Sequence, residues 1–588
     1  MLAVELKPRT GYKQYGDLLL KYLRPQKVQV YLLFGLLFIS IGVQLAGPQV
    51  LRYFIDTAAA GGTLEALIAA ALLFLGLTLF NQVLTVVATY FGENVGWTAT
   101  NLLRVDLTLH CLKLDMSFHK ARTPGEMIER IDGDVNALSK FFSQFVIQVL
   151  GNVVLMAGVL VLLMREDWRI GTALSLFAIL SVFVLNKSRN IAVPAMTAER
   201  QASANLFGFL EERLAGLPDI RANGAGAHVM SGMYNAAREL FRRGRKAWQM
   251  DAVLWMITIT LFTMGYVVAF TVGAYLFGAG AVTLGTMYLF FQYTELLRRP
   301  LDQLTDQFKE LQKASAGITR VQELYNTTAT ITDGPGVDFP EGPLSVEFAD
   351  VSFGYGDEEM VLTDLTFKLK PGTVLGLLGR TGSGKTTVTR LLFRLYDPER
   401  GAIRLGGEDI RDAQLSDLRR HIGMVTQDVQ LFQASIRDNL TLFDRSISDD
   451  HILQVLRDIG LYGWYLSLAD GLDTELGPGG GGLSAGEAQL LAFTRVFLED
   501  PGLVILDEAS SRLDPATEQL IERAVDRLLQ NRTVIIIAHR LATVQRADEI
   551  MILDNGQIIE HGPRARLAAD SHSRFSYLLR AGLEEVLV

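Results

Sequence analysis

The chain has one cysteine, Cys111, in 588 residues. An intrachain disulfide framework is therefore excluded, and the composition suits a reducing compartment. Nothing around Cys111 marks it as a nucleophile, so it reads as a packing residue. Basic charge is scarce too. Lysine and arginine total 55 against 64 aspartates and glutamates, and no basic stripe stands out of the mixed-charge C-terminal half. That balance argues against a nucleic-acid partner. The N-terminus lacks the long apolar core of a cleavable signal peptide, although Lys7, Arg9, Lys13, Lys21, Arg24 and Lys27 lie within residues 1–27. Tyr12, Tyr15, Leu18, Leu19 and Tyr22 recur there at roughly helical spacing, which predicts a helix lying along the cytoplasmic membrane surface.

Charge is missing altogether from runs at 28–50, 66–92, 141–164, 170–186 and 252–294. A membrane span needs about 20 apolar residues, so these runs explain where the excess in a 49% hydrophobic composition sits. The last run is broken at Gly278–Gly285 and makes two spans, which gives six within a helical domain at 28–326: approximately 28–50, 66–92, 141–164, 168–188, 252–277 and 282–304. The segments 93–140 and 187–251 are long and basic, while 278–285 has no lysine or arginine. By the positive-inside rule both segments and both chain ends are cytoplasmic. Their helix-like pattern predicts that the spans continue as helices into the cytosol and turn there, near Asp115–Gly125 and Gly216–Ala225. Those turns are either plain surface loops or docking points that transmit force. Gln44, Asn81, Gln82, Gln148, Asn152, Gln292 and Glu295 are among the few polar residues within the spans. Glu295, with Arg298 and Arg299 one turn on, reads at least as well as a helix-face ion pair as it does a functional group.

Residues 327–343 are turn formers without periodicity and read as a linker. An α/β domain is expected from 344 to 588, opening on the alternating strand Ser345–Phe353. The apolar strand Val374–Leu378 leads into Gly379, Arg380, Thr381, Gly382, Ser383, Gly384, Lys385, Thr386 and Thr387, and then into an apolar helix. Strand, glycine loop and helix in this order form a phosphate cradle of backbone N–H groups. Lys385 reaches the terminal phosphates and the Thr386 hydroxyl ligates Mg²⁺. A second strand, Leu503–Leu506, delivers Asp507 and Glu508 to the carboxyl edge of a parallel sheet, where open α/β sheets bind ligands. Asp507 is placed to hold Mg²⁺ through its water shell, and Glu508 to orient or deprotonate the attacking water. A third strand, Thr533–Ala538, brings His539 to the same edge as a phosphate contact. Ser484 and Glu487 have capping-box spacing at the start of another helix, whose N-terminus, with Ser484 and the Gly486 amide, can also face a phosphate. Gln427 and Tyr355 carry no signal alone.

In order, Tyr355, Gly379–Thr387, Gln427, Leu483–Glu487, Asp507–Glu508, Ser511–Asp514 and His539 resemble the motif set of the ATP-binding cassette family. Six spans ahead of one cassette resemble its exporter-type half-transporters. The resemblance implies that Tyr355 stacks on adenine, that Thr386 and Gln427 coordinate Mg²⁺, and that Lys385, Gln427, Glu508 and His539 serve ATP hydrolysis. It also implies that two chains close head to tail, so that Ser484 of one completes the nucleotide site of the other. The two cytoplasmic turns correspond to that family's coupling helices. The expected activity is ATP-driven export of a hydrophobic or amphipathic compound, lipid or peptide across a bacterial inner membrane. An importer on the same scaffold and an ATP-gated channel or sensor are the alternatives. Ala485 stands where the family signature has glycine, and Arg512 where it often has a small residue. A weakened signature beside an intact Glu508 is the pattern of one half of an asymmetric pair, so a heterodimer is expected over a homodimer.

Overall fold

The computed structural model describes residues 20–140, 149–356, 360–426, 429–507, 515–538 and 544–581. The chain divides into two compact units. One comprises the residues up to Leu112 together with Pro124–Thr327; the other comprises Lys113–Thr123 and the chain from Thr328 onward.

The first unit is helical. Its long helices are α1 (Lys27–Ala59) and α2 (Leu64–Leu112), then, beyond the short α3 (Met116–Lys120) that belongs to the other unit, α4 (Gly151–Glu166) and α5 (Trp168–Ala215). The short α6 (Leu217–Ala222) leads to α7 (Gly226–Gly278) and α8 (Leu284–Asn326). At about 1.5 Å per residue the 49 residues of α2 extend roughly 73 Å, more than twice the ~30 Å hydrocarbon thickness of a bilayer. Long spans therefore do run on as polar extensions. Helices Leu20–Ala59, Leu64–Leu112, Trp168–Ala215 and Gly226–Gly278 are long and apolar enough to cross a membrane. In α2 only 11% of the most apolar window is buried, and Leu72, Leu79 and Val83 point outward, as lipid contact requires. The expected third span lies partly outside the described residues, and α8 soon becomes polar beyond Gln292. The interfacial helix expected near the N-terminus falls mostly outside them as well.

Leu155, Val159, Leu163, Leu174, Leu276, Phe290 and Tyr293 form the bundle core. At one end of the bundle Arg52 Nη1 pairs with Glu166 Oε1 at 2.7 Å, and Asp56 accepts from the Gly285 N–H at 2.8 Å. In the polar extensions the buried Asp134 carboxylate accepts from Arg320 Nε at 2.7 Å. Tyr22, 3% exposed, donates to Asp106 at 2.8 Å and lies 3.0 Å from the Tyr325 hydroxyl, joining the start of the chain to the ends of α2 and α8. Glu295 pairs with Arg298 at 3.9 Å and accepts from the Tyr266 hydroxyl, as the helix-face reading expects.

The second unit holds two sheets. An antiparallel sheet runs in the order β2 (Met360–Leu369), β1 (Val346–Gly354), β4 (Arg400–Leu405) and β5 (Glu408–Asp409). A six-stranded sheet runs β10 (Gln557–Pro563), β9 (Glu549–Asp554), β3 (Val374–Gly379), β8 (Thr533–Ile537), β7 (Leu503–Asp507) and β6 (Ile422–Val425). All its neighbours are parallel except β9 and β10. Alternate residues feed two cores. Val374, Leu378, Val504, Leu506, Val534 and Ile536 pack on one face, and Leu375, Leu377, Leu503, Ile505, Ile535 and Ile537 on the other. Burial on both faces explains why these strands read as unbroken apolar runs rather than as alternating ones.

Candidate functional site

In register, Leu377 of β3 stands beside Ile537 of β8, which stands beside Asp507 of β7. Asp507 is thus two strands, roughly 10 Å, from the base of the loop that leaves β3, and on the same carboxyl edge. The loop itself requires glycine where the chain turns back. Gly384 has φ +106, and a Cβ there would lie 2.6 Å from Leu362 Cδ2; at Gly379 it would lie 2.4 Å from the Leu553 carbonyl oxygen. The loop closes through Ser383 N–H to the Arg380 carbonyl (3.1 Å) and leads into α9 (Lys385–Leu392).

Lys385 is 6% exposed, and its ammonium donates to the carbonyls of Gly379 (2.6 Å) and Arg380 (2.9 Å) across the loop. Ser383 Oγ is buried inside the loop without a partner among the described residues. The Thr386 hydroxyl is exposed at the start of α9 and has no partner among the described residues. An orphaned hydroxyl, a buried ammonium and a cradle that a side chain would fill suit a polyphosphate. The free Thr386 hydroxyl and the Asp507 carboxylate suit a magnesium ion, which takes few protein ligands besides phosphate and water. Gln427, Glu508 and His539 lie outside the described residues, as do Ser511–Asp514.

Tyr355 follows β1, and its hydroxyl lies 3.1 Å from Thr387 Oγ1 and accepts from Arg390 Nη1 at 3.0 Å. Its ring edge-packs on Phe353 and Tyr396. Burial raises the Tyr396 hydroxyl above its ordinary pKa, and the neighbouring Tyr355 adds to that. Tyr355 also lines a cavity of about 570 Å³. The opposite wall of that cavity is the segment around α3. The Lys120 ammonium sits 4.2 Å above the Tyr355 ring, and the Asp115 carboxylate accepts from the Thr330 N–H and hydroxyl, each at 2.7 Å, and from the Ile331 N–H at 3.3 Å. Neither contact is legible in the sequence alone. Lys120 and Asp115 lie over 200 residues from their partners, and no local pattern links them.

Ser484 caps α10 (Ala485–Glu499) in a complete capping box: Glu487 N–H donates to Ser484 Oγ (3.3 Å) and Ser484 N–H to Glu487 Oε2 (2.7 Å). Trp464 Nε1 donates to the other Glu487 oxygen at 2.8 Å, a partner the spacing could not reveal. Ser484 and Ala485 are exposed and Gly486 is buried, so the methyl of Ala485 stands at the open end of this helix.

A family model described as the ABC transporter transmembrane region matches residues 30–301, and one described as ABC transporter matches residues 362–511. An uncharacterized ABC transporter ATP-binding protein of Bacillus subtilis is 30% identical over 551 residues, 93% of this chain and 91% of that one. An ATP-dependent lipid A-core flippase of Alcanivorax borkumensis is 29% identical over 569 residues, covering 96% and 97%. A solved structure, that of a bacterial Atm1-family ABC exporter with ATP bound, is similar with a TM-score of 0.76 and 25% identity, over 96% of this chain and 98% of that one.

Proposed function

The chain belongs to the ABC transporter family, an integral membrane protein whose α/β domain binds ATP and couples its hydrolysis to export, and from that premise we propose what it carries and which residues do the work. Its cargo is a hydrophobic or amphipathic compound, lipid or peptide, moved by alternating access; the similarity to an ATP-dependent lipid A-core flippase supports that class. The observation that carries the proposal is the meeting of the Gly379–Thr387 loop and Asp507 on one sheet edge, in a chain that also carries long lipid-facing helices.

The loop amides from Gly379 to Thr387 hold the phosphate chain, and Lys385 exchanges its carbonyl partners for the terminal phosphate oxygens. Tyr355 stacks on the base. Glu508 orients and deprotonates the water that attacks the terminal phosphorus, His539 contacts the transferred phosphoryl group, and the leaving oxygen departs on ADP. Thr386, Gln427 and Asp507 hold Mg²⁺, which neutralises phosphate charge. Ser484 and the Gly486 amide face the nucleotide bound by a second half-transporter. Because Ala485 replaces glycine while Glu508 is present, that second chain is a different one. Both termini and the α/β domain lie in the cytoplasm of a bacterial cell, with the spans in its inner membrane, as the lysines and arginines of 93–140 and 187–251 require. The segment Lys113–Thr123 groups with the α/β domain and is covalently continuous with α2, which offers a route by which domain closure acts on that span.

The test is ATP-dependent flux in inside-out vesicles containing the chain and whatever co-purifies with it. Uptake into the vesicles that is lost in both Lys385→Ala and Glu508→Gln is expected. Flux in the opposite direction indicates import, and ATP-dependent transport at an unaltered rate in Glu508→Gln indicates gating rather than pumping. A stable, normally active dimer of this chain alone refutes the heterodimer.

A further inference from the structure

Three of the polar residues embedded in the spans converge on one place. Gln44 of α1, Asn81 of α2 and Gln292 of α8 line a cavity of about 200 Å³, with Phe74, Leu77 and Leu296 among its apolar walls. None of its lining residues is charged. The amides are only partly spent on nearby hydroxyls: Ser40 Oγ donates to Asn81 Oδ1 (2.9 Å), Gln44 Nε2 to Ser40 Oγ (3.1 Å), and Gln292 Nε2 to the Tyr288 hydroxyl (2.7 Å). Asn81 Nδ2, Gln44 Oε1 and Gln292 Oε1 have no partner among the described residues. The backbone adds to this set. Pro48, inside α1 and on the cavity wall, has no N–H to give the Gln44 carbonyl four residues back. Beside it Gly47 carries no side chain, and a Cβ there would meet only Phe74, at 3.8 Å.

Polar groups at membrane depth are costly unless they are matched, and they mark substrate paths. Here the unmatched set holds donors and acceptors but no charge; Glu295, one turn beyond Gln292, is already paired with Arg298, and Glu166, which accepts from Gln49 beside Pro48, is already paired with Arg52. A charged group would enter without a counter-charge. An uncharged group with its own donor and acceptor would complete the set. The volume holds roughly six or seven water-sized groups at ~30 Å³ each, so it takes a head and leaves a long chain outside. That chain has apolar surface to lie on, since Leu72, Leu73 and Phe74 face outward on α2.

We propose that the cavity between α1, α2 and α8 binds the uncharged hydrogen-bonding head of an amphipathic substrate and selects against charged heads. This rests on the export reading for its purpose, although the binding itself is testable without it. Three C18 probes with a diazirine close to the head, an oleamide, an oleyl sulfate and an oleyltrimethylammonium, are photolabelled onto the full complex in nanodiscs without nucleotide. Labelled peptides are then mapped by mass spectrometry. The oleamide probe is expected to label peptides around Gln44, Asn81 and Gln292 at least tenfold more than either charged probe. Gln44→Leu with Asn81→Leu lowers that labelling about tenfold. Gln292→Lys, which keeps the other two amides, brings in the sulfate probe. Equal labelling by a charged probe, no labelling of these peptides by the oleamide, or labelling indifferent to both variants overturns the proposal. Because no ATP is used, failure of ATP-driven flux would refute export and leave the labelling result unaffected.

Discussion

Asp115→Ala tests whether α3 is fastened to the α/β domain by the contacts seen there. The carboxylate accepts three hydrogen bonds from the linker, two of them at 2.7 Å, and the variant removes all three. Hydrogen bonds to a charged group contribute about 1.5–3 kcal/mol each when desolvated. Here the acceptor is only partly buried and Thr330 is exposed, so water recovers much of the loss. A net effect of about 2 kcal/mol is therefore appropriate, equivalent to roughly a 30-fold rise in the population of the detached segment. Lys120 still rests on the Tyr355 ring in this variant, an interaction of about 0.5–2 kcal/mol. The double variant with Lys120→Ala should detach further. Hydrogen–deuterium exchange of amides 113–123 reads the population directly, and transport per ATP hydrolysed reads its consequence. Exchange in this segment should quicken by about 30-fold while ATP hydrolysis persists, and transport per ATP should fall. Unchanged exchange would refute the anchoring role of Asp115. Quicker exchange with full transport per ATP would show that α3 carries no force.

Two further variants probe other joints. Ala485→Gly removes the exposed methyl at the open end of α10, so phosphate release by the complex with its partner should rise several-fold, at a stability cost below about 1 kcal/mol; an unaltered rate removes the reason for expecting an asymmetric pair. Tyr22→Phe deletes the hydroxyl that serves Asp106 and Tyr325 and should lower stability by about 1–2 kcal/mol at pH 7, read by thermal unfolding. The Tyr22 hydrogen bond, opposed in part by burial and aided by Lys21, holds the Asp106 carboxyl below its ordinary pKa. Its share of stability is therefore complete above about pH 4 and is lost as pH falls through the lower folded value, so the two proteins should converge in acid and not between pH 5 and 8.

What the sequence disclosed, and what it withheld, follows from how far apart the interacting residues lie. The Val374–Leu378 strand, the glycine loop after it and the Ser484–Glu487 cap are local: each is set by residues within a few positions, and each forms. The order of motifs likewise exposed the layout of helical spans ahead of an α/β domain, because long charge-free runs and buried parallel strands both leave continuous apolar stretches. The contacts of Lys120 with Tyr355, of Asp115 with Thr330 and of Trp464 with Glu487 left no trace, since nothing at one residue constrains the spacing to the other. Gln44, Asn81 and Gln292 lie between these cases. Each was conspicuous as a polar residue in an apolar run, yet only helix packing brings them to a common cavity. Periodicity can say that a span tolerates an amide. It cannot say whether that amide meets a neighbouring helix, a lipid or a substrate, because the three demand the same side chain and differ only in what stands opposite. The polar groups a fold leaves unmatched are therefore the ones from which its ligand chemistry can be read, and in the cavity between α1, α2 and α8 they are neutral.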